Sequence, residues 1–237
     1  MIDINCDMGE GVDNEAQLMP FISSANIACG YHAGDEETMK QVIQLCLQHH
    51  VHIGAHPSFP DRENFGRTAM QLPAAEIYTV ITEQLNIINK AAKAAGAKLH
   101  HVKPHGALYN MAAKDASIAK AIAQTVKDFD AGLIYYGLSG SVMIDEAVKL
   151  GLQTAHEVFA DRTYQSDGSL TPRTQPHALL QDKDAVIKQV LQFVDQNKVT
   201  TVSGEDIFIE ADTICIHGDG EHAVEFAKAI YQTLHEE

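Results

Sequence analysis

Short apolar runs alternate along the chain with longer stretches of helical spacing. The runs fall at residues 2–6, 25–29, 51–55, 99–102, 133–136, 152–156 and 213–216, and each has the length of a strand. Between them, Met39, Val42, Ile43 and Leu47 follow a helical period, with Asp35 as a candidate N-cap and Glu36 and Glu37 in the first turn. A second helix is predicted over 73–95, with Pro73 at its start and Gly96 just past its end. Helical spacing also covers 112–129, 142–150, 184–196 and 221–234. Residues 165–176, rich in Ser, Asp, Gly, Thr and Pro, predict an extended loop.

Strands that alternate with helices imply a parallel sheet. About seven such units in 237 residues predict an α/β fold, a distorted TIM-like (β/α) barrel, which typically takes about 250 residues. An open doubly wound sheet shares this periodicity, because alternation does not encode strand order. No linker-like composition divides the chain, so residues 1–237 are expected to form one barrel domain.

The polar residues matter most where the runs stop. The stretch His101-Val102-Lys103-Pro104-His105-Gly106-Ala107-Leu108-Tyr109-Asn110 ends an apolar run at a lysine and a histidine, and Pro104 and Gly106 then break regular structure. Asp7, Glu10, His32, Asp35, His56, Asp161, Arg162, His217 and Asp219 occupy the same place after other runs. In a parallel barrel these positions converge on one face. They supply carboxylates, imidazoles and a lysine, the groups that move protons and neutralise a developing oxyanion. A lysine closing an apolar strand is expensive to bury unless paired or used. On this basis Asp7, Lys103, His105 and Asp161 are catalytic candidates, and Glu10, His32, Asp35, Arg162 and His217 are substrate-binding candidates.

Blander readings stand beside these. Asp35 caps a helix equally well, Asp161 and Arg162 form a local ion pair equally well, and with 13 histidines in the chain a strand-end histidine is often structural. His32, His56 and Asp7 would make an open divalent-metal site of two imidazoles and a carboxylate, although no HExxH segment is present. There is no GxxxxGK[ST] nucleotide loop and no GxSxG elbow.

The formal charge of −15, with no offsetting Lys/Arg run, excludes a nucleic-acid ligand on electrostatic grounds. No apolar stretch approaches the roughly 20 residues of a membrane helix. The N-terminus lacks the basic region of a signal peptide. The four cysteines have no CxxC spacing and read as buried thiols of a reducing, cytoplasmic protein.

Several blocks are long enough to carry a resemblance. Asn5-Cys6-Asp7-Met8-Gly9-Glu10, residues 26–35, residues 54–61 and Val102-Lys103-Pro104-His105-Gly106-Ala107-Leu108-Tyr109 resemble those of the LamB/YcsF family. The later blocks Glu157-Val158-Phe159-Ala160-Asp161-Arg162 and Ile216-His217-Gly218-Asp219 are similar to that family as well. The family includes the A subunit of prokaryotic ATP-dependent 5-oxoprolinase. The resemblance implies a barrel related to glycoside hydrolase and deacetylase barrels, B and C partner subunits, and ATP as a cosubstrate of the complex. In that chemistry Lys103 would stabilise negative charge, Asp7 or His105 would act as general base, and Arg162 would hold a substrate carboxylate. Two alternatives are a metal-dependent amidohydrolase or deacetylase and a non-catalytic substrate-binding subunit.

Overall fold

Asp3-Ile4-Asn5-Cys6-Asp7-Met8 alternates polar and apolar residues, and period two sends the two sets to opposite faces of a strand. The computed structural model, which describes residues 2–235, turns that alternation into a barrel with a polar inside and an apolar outside. The elements run in order: β1 (Asp3–Met8), α1 (Glu15–Leu18), β2 (Ser24–Ala28), α2 (Glu36–His49), β3 (His52–His56), α3 (Ala74–Ala94), β4 (His101–Val102), α4 (Gly106–Ala112), α5 (Ala116–Phe129), β5 (Ile134–Leu138), α6 (Val142–Lys149), β6 (Gln153–Phe159), α7 (Lys183–Gln196), β7 (Lys198–Thr200), β8 (Asp206–Phe208), β9 (Thr213–Ile216) and α8 (Ala223–His235).

The parallel strands close in the order β1-β2-β3-β4-β5-β6-β9. β1 pairs with β2 on one side and β9 on the other, so strands from the two ends of the sequence seal the same barrel. This is the closed seven-stranded alternative, and the open sheet is excluded. Ile4, Cys6 and Met8 join a continuous buried layer with helix residues such as Leu18, Ile43 and Phe226. No helix among the described residues is long and apolar enough to cross a membrane.

Some boundaries differ from expectation for identifiable reasons. The apolar spacing over 112–129 is α5 preceded by a break: α4 stops at Ala112, and α5 starts afresh where the Asp115 side chain accepts from the Ser117 and Ile118 amides. β1 includes Asp7, and β6 runs to Phe159, so Asp7 and Glu157 sit within strands rather than beyond them. The antiparallel hairpin β7–β8 was not expected, since its strands are short and carry no apolar run. Residues 165–176 form the predicted loop, tied down by single bridges such as Tyr164 to Leu170.

Inside the barrel, polar side chains link layer to layer. Asp3 Oδ2 accepts from Tyr136 at 3.1 Å and from Thr213, and Thr213 Oγ1 accepts from Asn5 Nδ2 at 2.7 Å. Asn26 Nδ2 donates to Asn5 Oδ1 at 2.7 Å and to Asp7 Oδ1 at 2.8 Å. His101 Nε2 donates to Asn26 Oδ1 at 2.7 Å, with its ring stacked on Tyr136. Gly54 makes room for that ring, because a Cβ there would lie 2.0 Å from His101 Nε2. Gly54→Ala should therefore destabilise the protein by about 1–3 kcal/mol or more, as overpacking does. A urea midpoint equal to that of the parent would contradict this role.

Candidate active site

Lys103 leaves the end of β4 and turns its ammonium into the barrel, where it is 2% exposed. Nζ lies 2.8 Å from Asp7 Oδ1, 2.8 Å from Glu157 Oε1, 3.2 Å from Asn5 Oδ1 and 3.1 Å from Cys215 Sγ. An ammonium has three N–H groups, and here four neighbours share them. Burial favours the neutral amine, yet the surrounding groups, Asp7 foremost, together outweigh it and hold the Lys103 pKa well above its ordinary value. Burial likewise opposes ionisation of Asp7, but His56 and Lys103 hold that carboxyl well below the ordinary range. Lys103 thus sits locked as a fixed cation. Glu157 is fully buried, and the Lys103 ammonium 2.8 Å from its Oε1 is its ion-pair partner.

Glu10 and three histidines form a second group against Asp7. Glu10 Oε1 lies 3.0 Å from His32 Nε2, 3.2 Å from His105 Nδ1 and 3.7 Å from His56 Nε2. His56 Nε2 is also 3.4 Å from Asp7 Oδ2. The outer ring nitrogens of two histidines are anchored on backbone: His56 Nδ1 donates to the Lys103 carbonyl at 2.7 Å, and His105 Nε2 donates to the Phe65 carbonyl at 2.9 Å. Burial, reinforced by the charge of Asp7, raises Glu10 to about 7. Burial, with the positive charge of His56, lowers His32 to about 3.

The third group lies at the ends of β6 and β9. His217 Nδ1 faces both oxygens of Asp161 at 2.9 Å, and its ring stacks on Phe159. A ligating atom of His217 comes within 4.8 Å of one on Asp7, so this pair opens on the same space. Burial opposes the Asp161 charge, but His217 prevails and keeps its pKa below the ordinary value. Across the mouth, Arg67 Nη2 meets Asp219 Oδ2 at 3.1 Å and joins the loops after β3 and β9.

The strand-end rule therefore gathers Asp7, Glu10, His32, His56, Lys103, His105, Asp161 and His217 at one end of the barrel. Two expected residues stand apart. Asp35 is the exposed N-cap of α2 and accepts from the Thr38 amide at 2.8 Å. Arg162 is buried, and its Nε and Nη2 donate to the carbonyls of Ala178 and Thr171, which fastens the loop beyond β6 instead of presenting a fork to a ligand. The metal grouping also changes. His32 and His56 cluster with Glu10 and His105, whereas Asp7 groups with Cys215 and His217. Asn5, Asn26, Glu157 and Cys215 were missed; the signal available for Glu157 was a carboxylate between apolar neighbours at a strand end.

Removing the Lys103 charge leaves Glu157 without its ion-pair partner and Asp7 with His56 alone. Lys103→Met should cost about 3–5 kcal/mol at neutral pH, the usual penalty for breaking a buried pair. Adding Glu157→Gln should recover part of it. Chemical denaturation of the parent and both variants checks this, and an unchanged midpoint in Lys103→Met contradicts it.

Comparison with known proteins places this geometry among relatives. Residues 2–237 match the LamB/YcsF family. A Geobacillus kaustophilus protein, named as the A subunit of 5-oxoprolinase, is 51% identical over 240 residues, spanning 100% of this chain and 94% of its own. Its Tolumonas auensis namesake is 52% identical over 238 residues, spanning 98% and 95%. The crystal structure of a lactam utilization protein from Thermus thermophilus superposes with a TM-score of 0.92 at 39% identity, covering 98% of this chain and 95% of that one. A family 4 carbohydrate esterase from Streptomyces lividans, at 12% identity and a TM-score of 0.51, shares the fold alone over 98% of this chain and 88% of its own. The chain belongs to the LamB/YcsF family.

Proposed function

We propose that this chain is the A subunit of an ATP-dependent 5-oxoprolinase, a hydrolase that opens the cyclic amide 5-oxo-L-proline to L-glutamate together with B and C partner subunits. The substrate class comes from the full-length likeness to chains named as the A subunit of 5-oxoprolinase. The chemical part rests on one observation: the Asp161–His217 pair opens beside an ionised Asp7 whose charge is fixed by Lys103.

A five-membered lactam is a stable amide, and phosphorylation of its oxygen would make the ring carbon attackable by water. The chain has no GxxxxGK[ST] loop, and the Lys103 ammonium is fully engaged, so the proposal assigns ATP use to the partner subunits and hydrolysis to this one. Asp161 orients the imidazole of His217 as the acid of a catalytic triad orients its histidine. His217 then takes a proton from the attacking water and returns it to the ring nitrogen as the C–N bond breaks. The product at that stage is an acyl phosphate, which a second water hydrolyses to glutamate and phosphate. With Arg162 turned to backbone, the exposed guanidinium of Arg67 at the mouth is the fork available to a substrate carboxylate. Four free, buried cysteines suit the reducing cytoplasm.

A second reading, a metal-dependent amidohydrolase, is favoured by the histidine cluster and predicts lactam opening without ATP. The discriminating assay is glutamate formation from 5-oxoproline and ATP by this chain, by the partners, and by the mixture. Glutamate should form only in the mixture, and His217→Ala should lower kcat by about 10²–10⁴ without loss of assembly. Equal turnover by the partners alone, or full turnover with His217→Ala, would sink the proposal; ATP-independent product from this chain would favour the second reading.

A further inference from the structure

The anchoring of His56 and His105 has a consequence for the space between them. A carbonyl oxygen only accepts, so His56 carries its proton on Nδ1 toward Lys103 and His105 carries its proton on Nε2 toward Phe65. Their remaining nitrogens, His56 Nε2 and His105 Nδ1, then face each other across 2.9 Å, so that one proton or one cation must lie between the two ring lone pairs. Glu10 Oε1, a third electron-rich atom, sits 3.2 Å from His105 Nδ1 and 3.7 Å from His56 Nε2, and His32 Nε2 lies 3.0 Å from that oxygen. Such atoms repel unless something positive lies among them.

We propose that Glu10, His32, His56 and His105 bind one divalent transition-metal ion of the zinc type. Four donors at about 2.0–2.2 Å from a tetrahedral ion lie about 3.3–3.6 Å apart. Four of the six separations here run from 2.9 to 3.7 Å and bracket that spacing, and one donor atom from each of the four residues lies within 4.8 Å of the others. Three imidazoles and one carboxylate are a donor set suited to zinc and its neighbours rather than to magnesium or calcium. The outer shell is already built, since a ligating histidine characteristically donates its other N–H to a carbonyl or carboxylate, as His56 and His105 do.

The enclosure is built as well. The Phe65 ring meets His32 and His105 edge-on at 5.5 and 5.1 Å. Gly66, at φ +64°, lets that loop close down, since a Cβ there would stand 3.0 Å from both the His105 ring and His32 Cβ. Asp7, the expected third ligand, gives Oδ1 to Lys103 and Asn26 and keeps Oδ2 3.4 Å from His56 Nε2, beside the four-residue set and grouped with Cys215 and His217. The inference stands on these residues alone and does not depend on the oxoprolinase reading.

The test is Zn²⁺ titration of chelator-treated full-length protein by calorimetry, with Co²⁺ absorption as the spectroscopic counterpart. One Zn²⁺ per chain is expected, together with Co²⁺ ligand-field bands. Glu10→Gln and His105→Ala should each weaken binding at least roughly 100-fold, at or beyond the upper end of what outer-shell changes cost, while far-UV circular dichroism stays unchanged. The isosteric Glu10→Gln keeps the test decisive if His105→Ala fails to fold. His156→Ala, which disrupts the separate, more exposed group of His156, Glu210 and Asp212, should leave binding intact. The proposal is overturned if the folded parent takes up no Zn²⁺, if Glu10→Gln binds as the parent does, or if His156→Ala is the variant that abolishes binding.

Discussion

An ammonium almost sealed inside a barrel is stable only if negative groups reach it from the surrounding strands. Lys103 imposes that requirement on the molecule. Asp7 arrives from β1, Glu157 from β6 and the Cys215 thiol from β9. These strands are neighbours only because β9 closes the barrel between β6 and β1. Closure is therefore tied to the charge arrangement at the mouth. The polar ladder from Asp3 through Thr213, Asn5 and Asn26 continues the same logic downward, giving each of these four side chains a partner in the next layer.

Asp7 is the point where two halves of the mouth meet. On one side, the ends of β3 and β4 and the loops after β1 and β2 bring together the three histidines and Glu10. On the other, the ends of β6 and β9 bring Asp161 and His217 into contact. Asp7 gives one oxygen to Lys103 and Asn26 and turns the other toward His56. Arg67 and Asp219 join the two sides above it. Charge fixed on one flank and an oriented imidazole on the other suit the opening of an activated amide, which needs a proton carrier beside a preorganised field.

Much of this was legible in the order of residues. Alternating apolar runs and helical stretches implied the barrel, and the rule that strand ends face the ligand gathered Asp7, Glu10, His32, His56, Lys103, His105, Asp161 and His217 before their contacts were visible. Direction was harder to read. Arg162 follows a strand as His217 does, yet its guanidinium is turned to the backbone of its own loop, because carbonyls of Thr171 and Ala178 lie within reach. Asp35 combined a strand-end position with an N-cap position, and the cap prevailed. The inner partners were hidden for a different reason. Asn5, Asn26 and Glu157 lie within strands, and only the register with neighbouring strands shows that they converge on one polar interior.

The central claim is that Lys103, together with His56, keeps Asp7 ionised inside the barrel. A ¹³C NMR titration of the Asp7 carboxyl in the folded protein tests it most directly. The account predicts that Asp7 stays ionised well below the ordinary aspartate value of about 3.9 and that its titration moves upward when Lys103 is replaced by methionine. Titration of Asp7 at the ordinary value in the parent, unchanged by loss of Lys103, would contradict it.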